Sequence, residues 1–456
     1  MSAATTDLMD AATSLEHALE TRRIENAPAW WYARQAKARE VFDATAWPRE
    51  RDEKWRYSLV EKINFSTFNY ATPELSGMTA APLLPRTESA GLLVFDNSHP
   101  VSVEIDADLK AQGVYFAPIR HVLQERPELL ERYLMTDLVT PEYGKFAAFH
   151  GALVDGGGVL VIPKNIEIAK PFEVHHIFSG GNAAIFPHFL IVAEPNSKAS
   201  FVNSYASPTP DAAGLVVGAM ELFVKQGAKV NFITVNEWGS GVHHFEIQRH
   251  LAERDAEVKN LVLTLGSGFT RMNVEAKLGG PNASSEMLGL WVGGGRQKFD
   301  HRTLQEHAAP HCHSDVLYKG VLLDRARSIY AGLIHVYPDA QKTDAYQTNR
   351  NMVLSDKSRA DTIPMLEINA NDVKCSHGAT VGQVEFEHLF YLMSRGVPKL
   401  EAEKLIVFGF FEEVLNRMPV PVVADTLRDR IGRNMMGVDY EQLSVARRLV
   451  REGSKK

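Results

Sequence analysis

Only two cysteines, Cys312 and Cys375, occur in the 456 residues of the chain. That scarcity excludes a disulfide-stapled secreted scaffold and a zinc site built from four cysteines. Any thiol chemistry must rest on one sulfur or take ligands from another chain. Long apolar runs are missing too: stretches such as 405–411 and 159–162 fall far short of the roughly 20 residues that span a bilayer. There is no basic excess. Lys and Arg number 49 against 56 Asp and Glu, for a formal net charge of −7, and the basic residues do not cluster. Nucleic acid and anionic membranes are therefore disfavoured as partners. The N-terminus carries Asp7 and Asp10 and shows no basic region followed by an apolar one, so no secretory or transit signal is read there and a cytoplasmic protein is expected. No G-x-x-x-x-G-K-[ST] occurs, and no G-x-G-x-x-G opens a helix, which argues against a nucleotide hydrolase or a dinucleotide site.

What is present is ordinary for a folded protein, with 45% apolar and 23% charged residues. The length calls for two or three structural units. Residues 1–145 read as an N-terminal helical and mixed region. Leu8, Ala11, Ala12, Leu15 and Leu19 recur at helix spacing, and 30–42 continues as an amphipathic stretch.

From 146 to 384 the pattern changes to short alternating apolar runs separated by polar turns. The turns centre on Ala199, Ala228, Ala256, Ala283 and His313, at steps of 29, 28, 27 and 30 residues. A fixed period of strands without intervening helices is the mark of a stacked repeat. The reading is mainly β, a parallel β-helix of eight or nine coils. A β-sandwich competes, but hairpin turns of the Asn-Gly or Asp-Gly kind are scarce. Residues 385–456 return to helical periodicity, with Leu400, Leu405, Phe408 and Phe411 on one apolar stripe and a charged helix expected over 425–451.

Two polar clusters invite chemistry. His307, His311, Cys312 and His313 offer imidazole and thiolate donors for a transition metal; the alternative is a turn with solvent-facing histidines and one buried thiol. The pairs His175–His176 and His243–His244 cannot chelate as units, since adjacent strand residues face opposite ways, and surface or ladder roles are expected. In Lys-Cys-Ser-His-Gly-Ala-Thr at 374–380, Cys375 and His377 share one face of an extended segment, where a neighbouring imidazole or ammonium could favour thiolate. An ordinary strand end with a half-buried cysteine fits the same spacing.

Further motifs carry a resemblance. Ala-Gln-Lys-Thr-Asp-Ala-Tyr-Gln-Thr-Asn-Arg-Asn at 340–351 resembles the signature of the SufB/SufD family of iron–sulfur cluster assembly proteins. So do Pro-Met-Leu-Glu at 364–367, Lys-Cys-Ser-His-Gly-Ala-Thr-Val-Gly at 374–382, Leu-Phe-Tyr-Leu-Met-Ser-Arg-Gly at 389–396 and Asp-Glu-Lys-Trp-Arg-Tyr at 52–57. SufB-like chains carry a cysteine after Asp-Lys or Asp-Arg, where this chain has Ser358, and Glu-His-Glu where it has Ser376-His377-Gly378. The likeness is thus to the SufD side of the family.

The resemblance implies a right-handed parallel β-helix with helical regions at both ends, and a non-enzymatic scaffold that pairs with SufB and docks the ATPase SufC on its C-terminal helical domain. It implies that Cys375 and His377 face SufB and help hold iron or a transient iron–sulfur cluster, with no cofactor held tightly by the isolated chain. Phe408, Phe411 and Glu412 are the residues expected at the SufC surface. A homodimer through the same end is an alternative, as is a β-helix polysaccharide lyase or hydrolase.

Overall fold

A computed structural model of the chain describes residues 16–418 and 420–436. The expected helical positions Leu8, Ala11, Ala12 and Leu15, and the part of the expected last helix beyond 436, lie outside the described residues. The architecture is a parallel β-solenoid of about eight turns. Each turn contributes one strand to each of two long sheets, so successive strands of one sheet come from alternate strands of the sequence. Stacking is in straight register. Ser284–Gly293, for example, pairs with His313–Leu322 over ten consecutive positions, and His313–Leu322 pairs in the same way with Asp344–Val353.

The corners explain the period. At the turn before each strand of one sheet stands a residue in left-handed conformation: Asn165, Asn196, Gly227, Asp255, Asn282, His311 and Lys342, with φ between 57 and 69°. Gly, Asn and Asp tolerate this region best, and they hold five of the seven places. Each of their N–H groups donates to a carbonyl of the next turn, Asn196 to Gln226 and His311 to Gln341 for example, both at 2.9 Å. The next position points inward, and registers align Ser197, Ala228, Ala256, Ala283, Cys312 and Thr343 there, all buried. Two expected corners move by this rule. The column passes through Ser197, not Ala199, which already lies in the strand Lys198–Ala206, and through Cys312, not His313.

The two ends of the stack differ. At the N-terminal end, Gly91–Asp96 pairs antiparallel with His99–Ile105, and Tyr115–Pro118 pairs antiparallel with Gly156–Ile162. The sheets therefore take in strands from the stretch expected to be mixed. At the C-terminal end, Arg359–Ile368 and Lys374–Gly382 are each paired along one edge only.

Each sheet is covered on its outer face. Helices Ala29–Ala44 and Lys145–Leu153 pack with Leu215, Val217, Phe245 and Phe269 of one sheet. Helices Lys399–Leu415 and Pro421–Met436 pack through Val407, Phe408, Phe411, Val423 and Leu427 on Ile233, Leu261, Leu288 and Leu317 of the other. Salt bridges rim that second contact: Lys319–Glu413 at 2.5 Å, Arg417–Glu286 at 2.6 Å, and Arg430–Glu237. Truncating Phe411, which is 0% exposed, to Ala is expected to weaken this docking by about 3–5 kcal/mol. Hydrogen exchange should then quicken in 399–436 while the strands stay protected; equal quickening in both would refute a separate helical layer.

Candidate functional site

The open end is built by the last strand of each sheet. Within Lys374–Gly382, Cys375 continues the inward column of Ser285, Ser314 and Ala345, and His377 continues that of Met287, Val316 and Gln347. All six preceding residues are buried. No further turn covers the last strand, so Cys375 is half-buried and His377 is exposed. The two side chains share a face, roughly 6.6 Å apart along the strand. Beneath His377 the floor is amide: Gln347 Nε2 donates to the Gly332 carbonyl at 3.3 Å, and Asn351 Nδ2 to Asn349 Oδ1 at 2.7 Å. Opposite, Leu366 and Ile368 of Arg359–Ile368 stand exposed, as does Val381. The end is therefore a mixed polar and apolar surface with two raw strand edges, a template for pairing with another sheet.

Burial pushes the Cys375 thiol up from its ordinary pKa, and the Asp344 carboxylate adds to this. Neighbouring cations do not activate it in the isolated chain, contrary to what the adjacent Lys374 and His377 suggested. A thiolate there needs positive charge brought by a metal ion or a second chain.

The other cluster is dispersed. His307 is buried, with Nε2 2.7 Å from Ser314 Oγ and its pKa pushed down to about 4 by burial. His311 occupies the left-handed corner position. Cys312 lies inward, Sγ 3.3 Å from the Gly280 carbonyl, with its thiol pushed up to about 11 by burial. His313 faces solvent 3.5 Å from Asp344. Among the described residues no group of three or more His, Cys, Asp or Glu could hold a metal ion. His175, His176 and His244 are ladder residues, fully buried, so a surface role is ruled out for them.

The aromatic stripe also changes meaning. Phe408 and Phe411 are buried against the solenoid, and Glu412 lies 3.4 Å from Arg428. These residues fasten the helical layer, so the two rings present no free face to a partner. The exposed apolar surface is instead on Phe386–Ser394, a helix without a single buried residue. Phe386 is 73% and Phe390 59% exposed, their rings stacked at 5.9 Å, beside exposed Tyr391 and Met393. The aromatic pair at i and i+4 is a signal that sequence reasoning could have used.

Fold and site together define a class: a two-sheet parallel solenoid with antiparallel strands at one end and parallel edge strands at the other, with a thiol and an imidazole on that second face and an uncovered apolar helix beside it. Two family models cover most of this solenoid. The SufBD core domain of SUF-system FeS cluster assembly matches residues 176–410, and the SufBD N-terminal region matches residues 20–174. The chain belongs to the SufB/SufD family of iron–sulfur cluster assembly proteins. It is similar to the iron–sulfur cluster assembly protein SufD of Bacillus subtilis, 30% identical over 415 residues, which is 90% of this chain and 94% of that one. SufBD family proteins of Staphylococcus aureus and Staphylococcus saprophyticus are 26% identical over 426 residues and 27% over 381, covering 90% and 84% of this chain. The likeness is thus to a SufD. No helix among the described residues is long and apolar enough to cross a membrane.

Proposed function

We propose that the chain is the SufD-like, non-catalytic scaffold subunit of a SufBCD-type complex in the cytoplasm, supporting iron acquisition and cluster assembly. The observation that carries this reading is the uncovered inward row at the open end, with Cys375 and His377 on it. SufB would complete the site by continuing the two sheets, and iron or a nascent cluster would be held there as cargo, partly by ligands from SufB. One thiol and one imidazole are too few to ligate a cluster alone. The ATPase SufC would dock on the helical domain, and the exposed Phe386–Ser394 helix supplies the apolar surface for it. Large exposed aromatics on a soluble chain commonly mark such contacts.

Co-expression of the chain with SufB and SufC should yield a complex that co-purifies; failure to do so defeats the proposal. His377→Ala is expected to leave assembly of that complex intact, because pairing at a strand edge is made by backbone groups, while anaerobic reconstitution with iron and sulfide gives much less cluster absorbance. Cys375→Ser should act in the same direction. Wild-type cluster yields in both variants would remove the two residues from the site. A homodimer through the same open end is the second reading, favoured by exposed Leu366, Ile368 and Val381. Light scattering of the chain alone, then with SufB added, separates the two.

A further inference from the structure

Along the outer faces of the solenoid, charge is balanced strand by strand. Lys229 lies 3.0 Å from Glu257, Lys259 3.1 Å from Glu286, and Arg271 2.6 Å from Asp300. Lys198, stacked on Lys229, has its own carboxylate, Glu167, at 2.6 Å. One column departs from this. Lys298, Arg327 and Arg359 occupy the same register position on three successive strands, about 4.8 Å between neighbours. They share the outward face with Asp300 and Asp361, two residues further along their strands.

Of the three, Arg359 is paired, its guanidinium bidentate on Asp361 at 2.7 and 2.9 Å. Lys298 and Arg327 make no ion pair with any described residue, and the nearby Asp300 already accepts from Arg271 and Arg302, both at 2.6 Å. Burial, then Lys62 and Arg327, depress the Lys298 ammonium, with Glu50 opposing them. Like charges directly opposite on neighbouring strands destabilise a sheet, and in this column two adjacent cations, Lys298 and Arg327, are held by no ion pair among the described residues.

The same column lines a cleft that also carries Asp300 and Asp361, and whose other wall is the segment with Glu50, Tyr57, Ser58 and Leu59. That wall is held in place. Arg271 donates to the Lys54 carbonyl at 2.8 Å and Arg302 to the Arg56 carbonyl at 3.1 Å. Tyr57 and Leu59 are kept in left-handed backbone conformation, φ 66 and 56°, a costly geometry for large side chains that tends to persist at ligand sites.

We infer that this cleft binds a phosphate-bearing anion, with Lys298 and Arg327 gripping the phosphate oxygens and Tyr57 at the rim. A guanidinium fork beside an ammonium suits a tetrahedral oxyanion better than a lone carboxylate. Lys298 and Arg327 stand about 4.8 Å apart on adjacent strands, a spacing that lets each take an oxygen of neighbouring, linked phosphates. The anion could be a free pyrophosphate or the phosphate tail of a nucleotide.

The full chain at low ionic strength, titrated calorimetrically with inorganic pyrophosphate and separately with ATP, decides. Saturable binding of pyrophosphate is expected, weakened about tenfold or more by Arg327→Gln, a 1.4 kcal/mol loss or greater, and unchanged by Lys198→Gln. Equal affinity for both probes assigns the site to phosphate alone; tighter ATP binding assigns it to a nucleotide stacked at Tyr57. No saturable binding of either, or undiminished binding by Arg327→Gln, overturns the inference. Independently, Arg327→Glu should raise the thermal midpoint of the anion-free chain at low salt, because it places a carboxylate between Lys298 and Arg359. A lowered or unchanged midpoint counts against the uncompensated column.

Discussion

Acidification is expected to unfold the solenoid between about pH 6.5 and pH 4. Six buried histidines are kept neutral by burial: His150 and His250 are pushed down to about 3, His175, His301 and His307 to about 4, and His176 well below its ordinary value. Unfolding returns each to the usual value near 6.5. Below that pH the unfolded chain binds more protons than the folded one, so stability falls as pH falls, and it stops falling below the folded values. Each such histidine costs up to about 1.4 kcal/mol per pH unit, and six acting together over two units are comparable with a net stability of about 5–15 kcal/mol. Two carboxyls act in the opposite sense. Burial raises Glu173 and lifts Glu275 to about 8, so their contribution is present at low pH and lost as pH rises. They are outnumbered. Tryptophan fluorescence and circular dichroism followed from about pH 8 to pH 3.5 check this, and a native signal persisting to pH 4 would refute it.

The second large effect is expected from the N-terminal strap. Arg22 and Asp155 are paired at 2.9 Å with side-chain exposures of 1% and 0%. The guanidinium also donates to the carbonyls of Tyr70 at 2.7 Å, Ala71 at 3.1 Å and Ala184 at 2.5 Å. One side chain thus ties the turn at residue 22 to residues 70–71 and to the strand Ala184–Ile185 of the solenoid. Asp155→Ala leaves that charge buried with carbonyl dipoles and the nearby Arg120 around it, and should cost about 3–5 kcal/mol. Replacing both partners with apolar residues, Arg22→Met with Asp155→Leu, should recover much of the loss, since an ion pair's desolvation penalty disappears with the pair. Urea unfolding of both variants distinguishes them. A single-variant loss under about 1 kcal/mol would mean that Arg22 is satisfied by the carbonyls alone.

The repeat was legible because corners are chemically constrained. Ala228, Ala256 and Ala283 must be small to point into a tight turn, and their spacing shows in the sequence. Cys312 fits the same column, which explains why a thiol stands amid three histidines without forming a site with them. That cluster misled because nearness in sequence is not convergence in a coil: one turn sends His311, Cys312 and His313 to a corner, the interior and the solvent. Cys375 and His377 were placed on one face by strand alternation alone, yet their exposure depends on the stack ending there, which periodicity does not reveal. The stripe of Phe408 and Phe411 was also visible, but amphipathicity says only that a face is covered, not by what. Here the cover is Leu261, Leu288 and Leu317 of the chain's own sheet.

The unlike ends of the solenoid give it a direction. The N-terminal end finishes in antiparallel strands that contain Pro100 and Pro118, and proline offers no N–H to a newcomer. The far end finishes in the parallel strands Arg359–Ile368 and Lys374–Gly382. A chain added at the far end meets coils in straight register, and one added at the other meets a hairpin, so the two junctions are chemically different. The polarity of any stacking along the axis is therefore written into where the hairpin sits.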